Sequence, residues 1–471
     1  MSCLSPDNLD AVIKAYDVRG VYPSQLDEAL SYAVGGAFVQ VVMAAARDGG
    51  PGAIAVGHDM RPSGPDLVAA FTAGVLGQGC DVVNIGLAST DQLYFASGSL
   101  ELPGAMFTAS HNPAKYNGIK LCRVGAAPVG QETGLREIRQ LVEDGVQAYE
   151  GAMGESRFQD LLADYALFLR GLVDISGIRP LRVVIDAGNG MGGYTAPAVL
   201  ETAAGLPPLP LAIDPMYFEL DGSFPNHEAN PIEPANLVDL QERVCATGAD
   251  LGLAFDGDAD RCFIVDETGG VVNPSTLTAL IAARELAKHP GSIIIHNLIT
   301  SKAVPEVIIE CGGTPVRTRV GHSFIKDTMA KTGAVFGGEH SGHFYFRDFW
   351  RADSGMLAAL HAIAALGETP IGTTMSSLLD SYDRYSASGE INTEVADQGA
   401  ATEAIRLHYA NDSDVSVDDL DGLTFSAPTW WFNVRSSNTE PLLRLNVEAD
   451  DEEIMIGVRD TVLAIMRGDK R

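Results

Sequence analysis

The chain has 471 residues, of which 46% are hydrophobic and 20% are charged. This length suggests about three or four domains, and the composition is that of a globular protein rather than a disordered one. Acidic residues number 62 against 32 basic ones, which gives a formal net charge of −30. Because so acidic a surface repels nucleic acid and anionic membranes, we expect neither as a partner.

The six cysteines are scattered and include no Cys-x-x-Cys pair. A chain of this length does not need disulfides, so reduced thiols and a cytoplasmic location are expected. The N-terminal segment lacks the apolar core of a signal peptide. The longest apolar stretch, around residues 33–46, contains two glycines and Gln40 and is too short and too interrupted for a membrane span.

Short apolar runs predict three strands that are buried on both faces, each followed by a polar loop and a helical pattern. These runs are Ala53–Val56, Val183–Ile185 and Ile293–Ile295. In each unit a later apolar run also ends at a loop of unusual composition; these runs end at Phe107, Phe255 and Phe336. Ligand sites in open α/β sheets lie at the carboxyl ends of strands, so the pattern predicts three α/β units that each present one chemical loop.

Two further segments complete the predicted organisation. Apolar residues recur at spacings of three and four between about residues 134 and 172, which predicts a helical linker. After about Gly367 the sequence becomes rich in serine, aspartate and threonine and leads into a smaller C-terminal unit.

The segment Lys14–Gly20 is the first candidate for ligand binding. Its basic residues would suit a phosphorylated ligand in so acidic a chain, although a solvated strand edge fits them equally well.

The segment Thr108–Pro113 follows the apolar run 104–107 and places the hydroxyl of Ser110 on a turn beside the imidazole of His111. This arrangement suits a serine that carries a group covalently. Serine, asparagine and proline also form ordinary turns, so the hexamer alone leaves both interpretations open.

The segment Asp256–Arg261 has three carboxylates at alternate positions. Oxygen ligands of this kind suit Mg²⁺, and so does a phosphate oxygen from a substrate. The alternative is a Ca²⁺-binding EF-hand, because Asp256, Asp258, Asp260 and Glu267 fall at its positions 1, 3, 5 and 12. That loop requires glycine where Arg261 stands and helices where strands are predicted, so the magnesium loop is favoured.

Three later loops offer polar groups to a ligand. Thr318–Ser323 contains His322, although a lone histidine there is more often structural. Gly338–His343 could hydrogen-bond sugar hydroxyls or form a turn with a capping serine. Arg435–Thr439, with Arg444 as a second cation, suits a phosphate group or is a polar turn with a surface arginine.

Together these loops resemble the α-D-phosphohexomutase superfamily, where the same four occur in the same order: Thr108–Pro113, Asp256–Arg261, Gly338–His343 and Arg435–Pro441. The third of these loops, Gly338–His343, begins Gly-Glu-x-Ser-Gly, which is most similar to the phosphomannomutase/phosphoglucomutase branch. The resemblance implies three related α/β domains with mixed sheets and a C-terminal α+β domain around a central cleft. The expected domain ranges are 1–152, 153–270, 271–372 and 373–471.

The resemblance also implies a role for each matching residue. The expected catalytic residues are Ser110 as the phosphoserine, His111, Lys120 as acid or base, and Arg261. The expected Mg²⁺ ligands are Asp256, Asp258, Asp260 and the phosphorylated Ser110. The expected substrate-binding residues are Tyr16, Arg19, His322, Glu339, Ser341, His343, Arg435, Ser437, Asn438 and Thr439.

The activity that this resemblance implies is interconversion of mannose 6-phosphate and mannose 1-phosphate, and of the corresponding glucose phosphates. The reaction would pass through a hexose 1,6-bisphosphate, which also primes the enzyme, in a monomer or homodimer. Dedicated phosphoglucomutase and phosphoglucosamine mutase are the alternatives within the family. Outside it stand a Mg²⁺-dependent sugar phosphatase and a phosphosugar-binding module with an inactive site.

Overall fold

The computed structural model describes residues 3–45, 52–410, 412–436 and 442–468. The chain forms two compact units. The first unit comprises Met1–Val272, Met329–Phe336 and Ser341–Leu378, and the second comprises Asn273–Thr328, Gly337–His340 and Leu379–Arg471. Among the residues described, no helix combines the length and the apolar character that crossing a membrane requires.

The N-terminal region is a mixed sheet with flanking helices. Its elements are α1 Pro6–Val12, β1 Val18–Val21, α2 Glu28–Ala45, β2 Ala53–His58, α3 Gly64–Leu76, β3 Asp81–Leu87, α4 Thr90–Ser99, β4 Gly104–Phe107, β5 Tyr116–Arg123, β6 Ala127–Pro128, α5 Leu135–Asp144 and β7 Ser156–Phe158. The strand order is β1-β5-β4-β2-β3-β7, with β6 beside β5. The central strands β2, β3 and β4 are parallel, whereas β5 runs antiparallel to both β4 and β1. The carboxyl ends of β2 and β4 therefore lie side by side.

The next region has a smaller sheet of the same kind. Its elements are α6 Leu162–Leu172, β8 Leu181–Asp186, α7 Gly192–Leu200, β9 Leu211–Met216, α8 Val238–Thr247, β10 Leu251–Phe255 and β11 Cys262–Asp266. The order is β11-β10-β8-β9, in which β8 is parallel to both neighbours and β11 is antiparallel to β10. Every residue of β10 is buried, as expected for an apolar strand with both faces covered.

The third region contributes elements to both units. They are α9 Pro274–Lys288, β12 Ile293–Asn297, α10 Ala303–Glu310, β13 Thr314–Thr318, α11 His322–Thr332, β14 Phe336–Gly338, β15 Phe344–Phe346, β16 Ala352–Asp353, α12 Gly355–Gly367 and α13 Met375–Leu379. In the second unit β12 is parallel to β13, and in the first unit β15 is antiparallel to β16. All residues of α12 are buried, because its sequence is apolar around the whole helix.

The C-terminal region is α+β. Its elements are β17 Ser386–Glu394, α14 Gln398–Tyr409, β18 Ser416–Asp418, β19 Leu423–Ser426, β20 Trp430–Ser436, β21 Leu442–Ala449 and α15 Glu452–Arg467. Its antiparallel strands have the order β17-β21-β20-β19-β18. Stacked rings of Phe425 and Phe432, with centroids 4.7 Å apart, lie in its core.

These elements confirm the predicted α/β fold class with mixed sheets and a C-terminal α+β unit, and the three predicted buried strands correspond to β2, β8 and β12. The continuous helical linker predicted for residues 134–172 is wrong. Gly145, at a φ of 85°, ends α5, and β7 then pairs with β3 before α6 begins. The ranges expected for four domains stay a prediction.

Candidate active site

Ser110 lies in the loop that follows β4, at a φ of 49°, and is only 3% exposed. Its hydroxyl donates to Asp256 Oδ2 over 2.7 Å. Arg261 Nη2 lies 3.2 Å from Ser110 Oγ, and His111 Nδ1 lies 3.3 Å from the same Oγ. The serine thus meets a carboxylate, a guanidinium and an imidazole at one atom.

The acidic residues lie on the six-residue connection between β10 and β11. Phe255, the last residue of β10, pairs with Cys262, the first residue of β11. Because strands flank this loop, the EF-hand alternative is excluded. Asp256, Asp258 and Asp260 are buried, and one oxygen from each lies within 4.8 Å of the others.

This oxygen cluster could hold a metal ion. Asp258 Oδ1 and Asp260 Oδ1 are buried and accept no hydrogen bond from any residue that the structure describes. Buried carboxylate oxygens need a cation or a donor, and hard oxygen ligands are those that Mg²⁺ prefers. Asp256 joins this cluster to the hydroxyl of Ser110, which donates to it.

Lys120 lies on β5 opposite Met106 of β4. Its Nζ is 2.7 Å from Asp258 Oδ2 and 2.6 Å from Asp260 Oδ2. Burial disfavours the ammonium, but the two carboxylates outweigh burial and raise the pKa of Lys120 far above its usual range. Lys120 is therefore a firmly protonated partner of the acidic loop.

The pKa values of Asp256 and Asp258 shift in opposite directions. Burial, followed by the charge of Asp260, raises the pKa of Asp256 well above its usual range. Burial also disfavours ionised Asp258, but Lys120 and the hydroxyl of Thr90, 2.5 Å away, hold its pKa below the usual range. Contact with Lys120 thus gives two carboxyl groups of one short loop very different pKa values.

Two histidines border this cluster. His111 Nδ1 is in hydrogen-bond contact with Arg261 Nη2, and the charge of Arg261, together with burial, holds the pKa of His111 well below its usual range. His343 Nε2 lies 3.6 Å from Asp260 Oδ1, and its Nδ1 lies 3.0 Å from Ser341 Oγ. An antiparallel backbone bridge between Arg261 and His343 holds His343 beside the acidic loop.

The N-terminal candidates lie around the start of β1. Arg19 Nη1 donates to Asn112 Oδ1 over 2.6 Å, and its Nη2 lies 2.5 Å from Asp17. Asp17 raises the pKa of Arg19 despite the opposing effect of burial. Tyr16 is half-buried in the bend just before β1. Arg19 is therefore joined through Asn112 to the loop of residues 108–115 between β4 and β5, the serine loop. The sequence analysis does not predict this contact.

The remaining candidates belong to the second unit. Glu339 Oε1 accepts from Asn297 Nδ2 over 3.3 Å and from the backbone of Gly321 over 3.0 Å. Arg435 Nη2 lies 2.6 Å from Glu390 Oε2. His322 begins α11, but its side chain lies outside the described part of the structure, as do Ser437, Asn438 and Thr439.

In the first unit the structure brings together Ser110, His111, Lys120, Asp256, Asp258, Asp260, Arg261 and His343. Sequence reasoning missed several partners of the candidates: Arg61, Thr90, Asn112, Asn297 and Glu390. It also missed Asp59, which pairs with Arg61. Asp59 and Arg61 follow the carboxyl end of a buried parallel strand, so the same signal that pointed to the other loops could have found them.

Comparison with known proteins identifies a family for most of the chain. Family profiles match it in four consecutive stretches: phosphoglucomutase/phosphomannomutase alpha/beta/alpha domain I over residues 10–148, domain II over 163–270, domain III over 273–385, and the C-terminal domain over 390–465.

Similar proteins match over nearly the full length. The chain is 39% identical over 459 residues to "Phosphohexose mutases" of Xanthomonas campestris pv. campestris, which covers 97% of this chain and 99% of that protein. It is 38% identical over 459 residues to a phosphomannomutase of Salmonella typhimurium, covering 96% and 98%. A solved structure of a phosphoglucomutase/phosphomannomutase family protein from Burkholderia thailandensis has a TM-score of 0.86 at 30% identity and covers 98% of both chains.

The fold and these matches agree with the superfamily expected from the four motif loops. Four consecutive domain profiles match the chain, and the relatives are more than 30% identical over almost its full length. The chain therefore belongs to the phosphoglucomutase/phosphomannomutase family.

Proposed function

We propose that this protein is a phosphomannomutase that interconverts mannose 6-phosphate and mannose 1-phosphate, and that it also accepts the glucose phosphates. The observation that carries the proposal is the hydroxyl of Ser110, which lies 2.7 Å from Asp256 at the edge of three clustered carboxylates. A relative named phosphomannomutase, 38% identical over almost the whole chain, supports the choice of mannose.

The reaction is a pair of phosphoryl transfers. A phosphoryl group leaves Ser110 Oγ as the P–Oγ bond breaks, and it forms a new P–O bond to the free hydroxyl of a hexose monophosphate. The hexose 1,6-bisphosphate then reorients and returns its other phosphoryl group to Ser110. Such transfers depend on positioning and on neutralising charge more than on covalent chemistry.

The residues around Ser110 suit these two tasks. Arg261 lies within 3.2 Å of the serine oxygen, where its guanidinium can balance charge on the phosphoryl group. The ammonium of Lys120 can give a proton to the departing Ser110 oxygen, and the neutral amine that this leaves can take one from the attacking hydroxyl. His111, neutral because of Arg261, can accept a hydrogen bond at Nδ1 without adding charge.

A magnesium ion would be held by Asp256, Asp258 and Asp260. When bound, it would withdraw charge from the phosphoryl oxygens. Without a cation, the ionised carboxylates of this loop would repel a phosphorylated substrate, which supports a metal-dependent site.

The groups that recognise the substrate follow from the family's motifs. Glu339 and Ser341 would bind sugar hydroxyls, and His343 would lie beside them. Arg435 with Ser437, Asn438 and Thr439 would bind the phosphate that does not react. Tyr16, Arg19 and His322 would complete the contacts to the phosphorylated hexose.

The test compares the protein with its Ser110→Ala variant, with Ser223→Ala as the control because Ser223 is an exposed serine on a turn. Each is incubated with Mg²⁺, hexose 1,6-bisphosphate and mannose 1-phosphate, while mannose 6-phosphate and inorganic phosphate are followed. We expect mutase activity and one phosphate per chain by intact mass for the parent and control, and loss of both for Ser110→Ala.

The outcomes separate the competing functions. Release of inorganic phosphate without isomerisation would identify a sugar phosphatase instead. Turnover of glucose or glucosamine phosphates with none of mannose phosphates would identify one of the other mutases. Full mutase activity in Ser110→Ala would overturn the phosphoserine mechanism, although slight residual turnover would not, because the remaining site still positions substrates.

A further inference from the structure

Arg61 lies three residues after the end of β2, and it is 1% exposed although its side chain is among the largest in the protein. A fully buried arginine is rare unless its donors are satisfied. Burial lowers the pKa of Arg61, and the carboxylate of Asp59 opposes that change. The side chain is therefore a buried cation whose role depends on what its five N–H groups contact.

Every one of those five donors has an acceptor. Nε donates to Asp59 Oδ2 over 3.2 Å. The two terminal nitrogens donate to four backbone carbonyls. Three belong to the serine loop, those of Ser110 at 2.8 Å, Asn112 at 2.6 Å and Pro113 at 3.0 Å, and the fourth is that of Tyr116, the first residue of β5, at 2.9 Å. Arginine has five N–H donors in one rigid plane, whereas lysine has three on a single atom.

The loop needs such a partner because it turns its carbonyls inward. Ser110 adopts a left-handed backbone with a φ of 49°, which serine rarely adopts without support from its surroundings. Carbonyls buried without a donor would cost free energy, and one guanidinium satisfies four of them. The conformation that aims the Ser110 hydroxyl at Asp256 thus coincides with the one that Arg61 holds.

The surroundings of Arg61 fix its own position. The ring of Phe224 lies 5.2 Å from its guanidinium carbon. A side-chain carbon at Gly222 would lie 2.8 Å from the Arg61 Cα, so the chain passes directly over this residue. Asp59 also accepts from the backbone N–H of Arg61 over 2.9 Å.

We infer that Arg61 is a positioning residue that holds the backbone of residues 110–116 in the shape that presents Ser110 to the acidic loop. Arg61 acts through carbonyls and is not itself a catalytic residue. The effect on turnover rests on the proposed function, whereas the effect on the loop does not.

The experiment measures amide hydrogen exchange and steady-state kinetics in Arg61→Lys. The matched control is Arg170→Lys, because Arg170 makes the same kind of contacts to another segment: Val199 O at 2.7 Å, Pro207 O at 2.6 Å and Glu201 O at 2.5 Å. Circular dichroism verifies that each variant is folded.

In Arg61→Lys we expect the amides of residues 110–118 to exchange at least about 10-fold faster while those of residues 199–207 keep their rate. We expect kcat to fall about 10- to 100-fold with KM changed less than about threefold, because the serine is displaced while the substrate contacts persist. Arg170→Lys should show the reverse exchange pattern and the parental kcat.

If folded Arg61→Lys exchanges its loop amides at the parental rate, or keeps the parental kcat in an active enzyme, the inference is overturned. Should Arg61→Lys not fold, Asp59→Asn keeps the guanidinium but loses the charge opposite its Nε. It should accelerate the same amides by a smaller factor, and an unchanged loop would again overturn the inference. A parent protein without mutase activity would refute the proposed function, while hydrogen exchange would still decide the role of Arg61.

Discussion

Asp258 combines three tasks in one side chain. Its Oδ2 accepts from Lys120 and Thr90, and its Oδ1 is buried without a hydrogen bond from the described residues. In our proposal that carboxylate is also a metal ligand. Replacing it would both remove a ligand and leave the ammonium of Lys120 with one carboxylate fewer.

We therefore predict that Asp258→Asn folds but loses at least about 100-fold in kcat, as expected when a charge-neutralising ligand of a phosphoryl-transfer site is removed. Its affinity for Mn²⁺, measured by electron paramagnetic resonance as a substitute for Mg²⁺, should fall in parallel. The control is Asp239→Asn, an exposed carboxylate that also accepts from a hydroxyl, that of Tyr217. Unchanged turnover of the parent under strong chelation would contradict a metal role for this loop.

At the scale of elements, a buried carboxyl group joins three helices of the first unit. Asp91 on α4 accepts from Tyr165 on α6 over 2.7 Å and from Ser354, the N-cap of α12, over 2.6 Å; Ser89, the N-cap of α4, also donates to it. Burial raises the pKa of Asp91 to about 6 although these three hydroxyls oppose the rise. The folded protein thus holds a proton here that the unfolded chain releases near pH 4.

This pKa predicts a pH dependence of stability. Because the folded-state pKa is raised, the folded chain binds more protons than the unfolded chain between about pH 4 and 6, and stability falls as the pH rises through that range. Relative to Asp91→Asn, the parent should lose up to about 3 kcal/mol in its free energy of unfolding from pH 4 to 7. Urea denaturation across this range is the measurement, with Asp164→Asn, an exposed carboxylate on α6, as the control. Parallel curves for the parent and Asp91→Asn would disprove the assignment.

Strand pairing also shapes the C-terminal phosphate candidate. Arg435 on β20 lies directly opposite Arg444 on β21. Like charges in that position repel, and Glu390 on β17 offsets the repulsion, since it lies 2.6 Å from Arg435 and 3.3 Å from Arg444. The sheet therefore places two cations and one anion together at the end of β20, just before the segment in the sequence that we propose binds phosphate.

Arg435→Ala should raise KM about 10- to 100-fold, because charge-assisted contacts to a phosphate contribute about 1.5–3 kcal/mol each. It should also need more added hexose 1,6-bisphosphate, since an intermediate that escapes leaves Ser110 unphosphorylated. Single-turnover analysis with labelled substrate would detect bisphosphate in solution, with the exposed Arg406→Ala on α14 as the control. If Arg435→Ala releases no more bisphosphate than the parent, the retention role is wrong.

At the scale of the whole molecule, the proposed roles of Glu339 and Ser341 bear on selectivity. Mannose and glucose differ only at C2, whereas Glu339 and Ser341 would read hydroxyls that both sugars share. Strong rejection of an analogue, about 10⁴-fold or more, requires a buried polar group that the analogue leaves unpaired.

We therefore expect the ratio of kcat/KM for mannose 1-phosphate and glucose 1-phosphate to be smaller than about 10⁴. Glu339→Gln should lower both values by similar factors. A ratio above that limit, or a Glu339→Gln variant that impairs only one sugar, would refute this division of labour.

Much of the fold was accessible from the sequence because strand burial and turn chemistry are local properties. The apolar runs before Gly57, Asp186 and His296 predicted buried strands, and those strands exist. The linker after α5 was mistaken for continuous helix because residue periodicity does not register one glycine at positive φ or the pairing of a short strand.

The sequence by itself determined which residues of the site are neighbours along one loop, such as Ser110 with His111 and the three aspartates of the acidic loop. Only the tertiary structure decided which loops meet. Lys120 contacts Asp258 across 138 residues, and Arg61 contacts the carbonyl of Ser110 across 49 residues. Such contacts depend on strand order and packing, which place the carboxyl ends of separate strands together, and no pattern within a single loop contains that information.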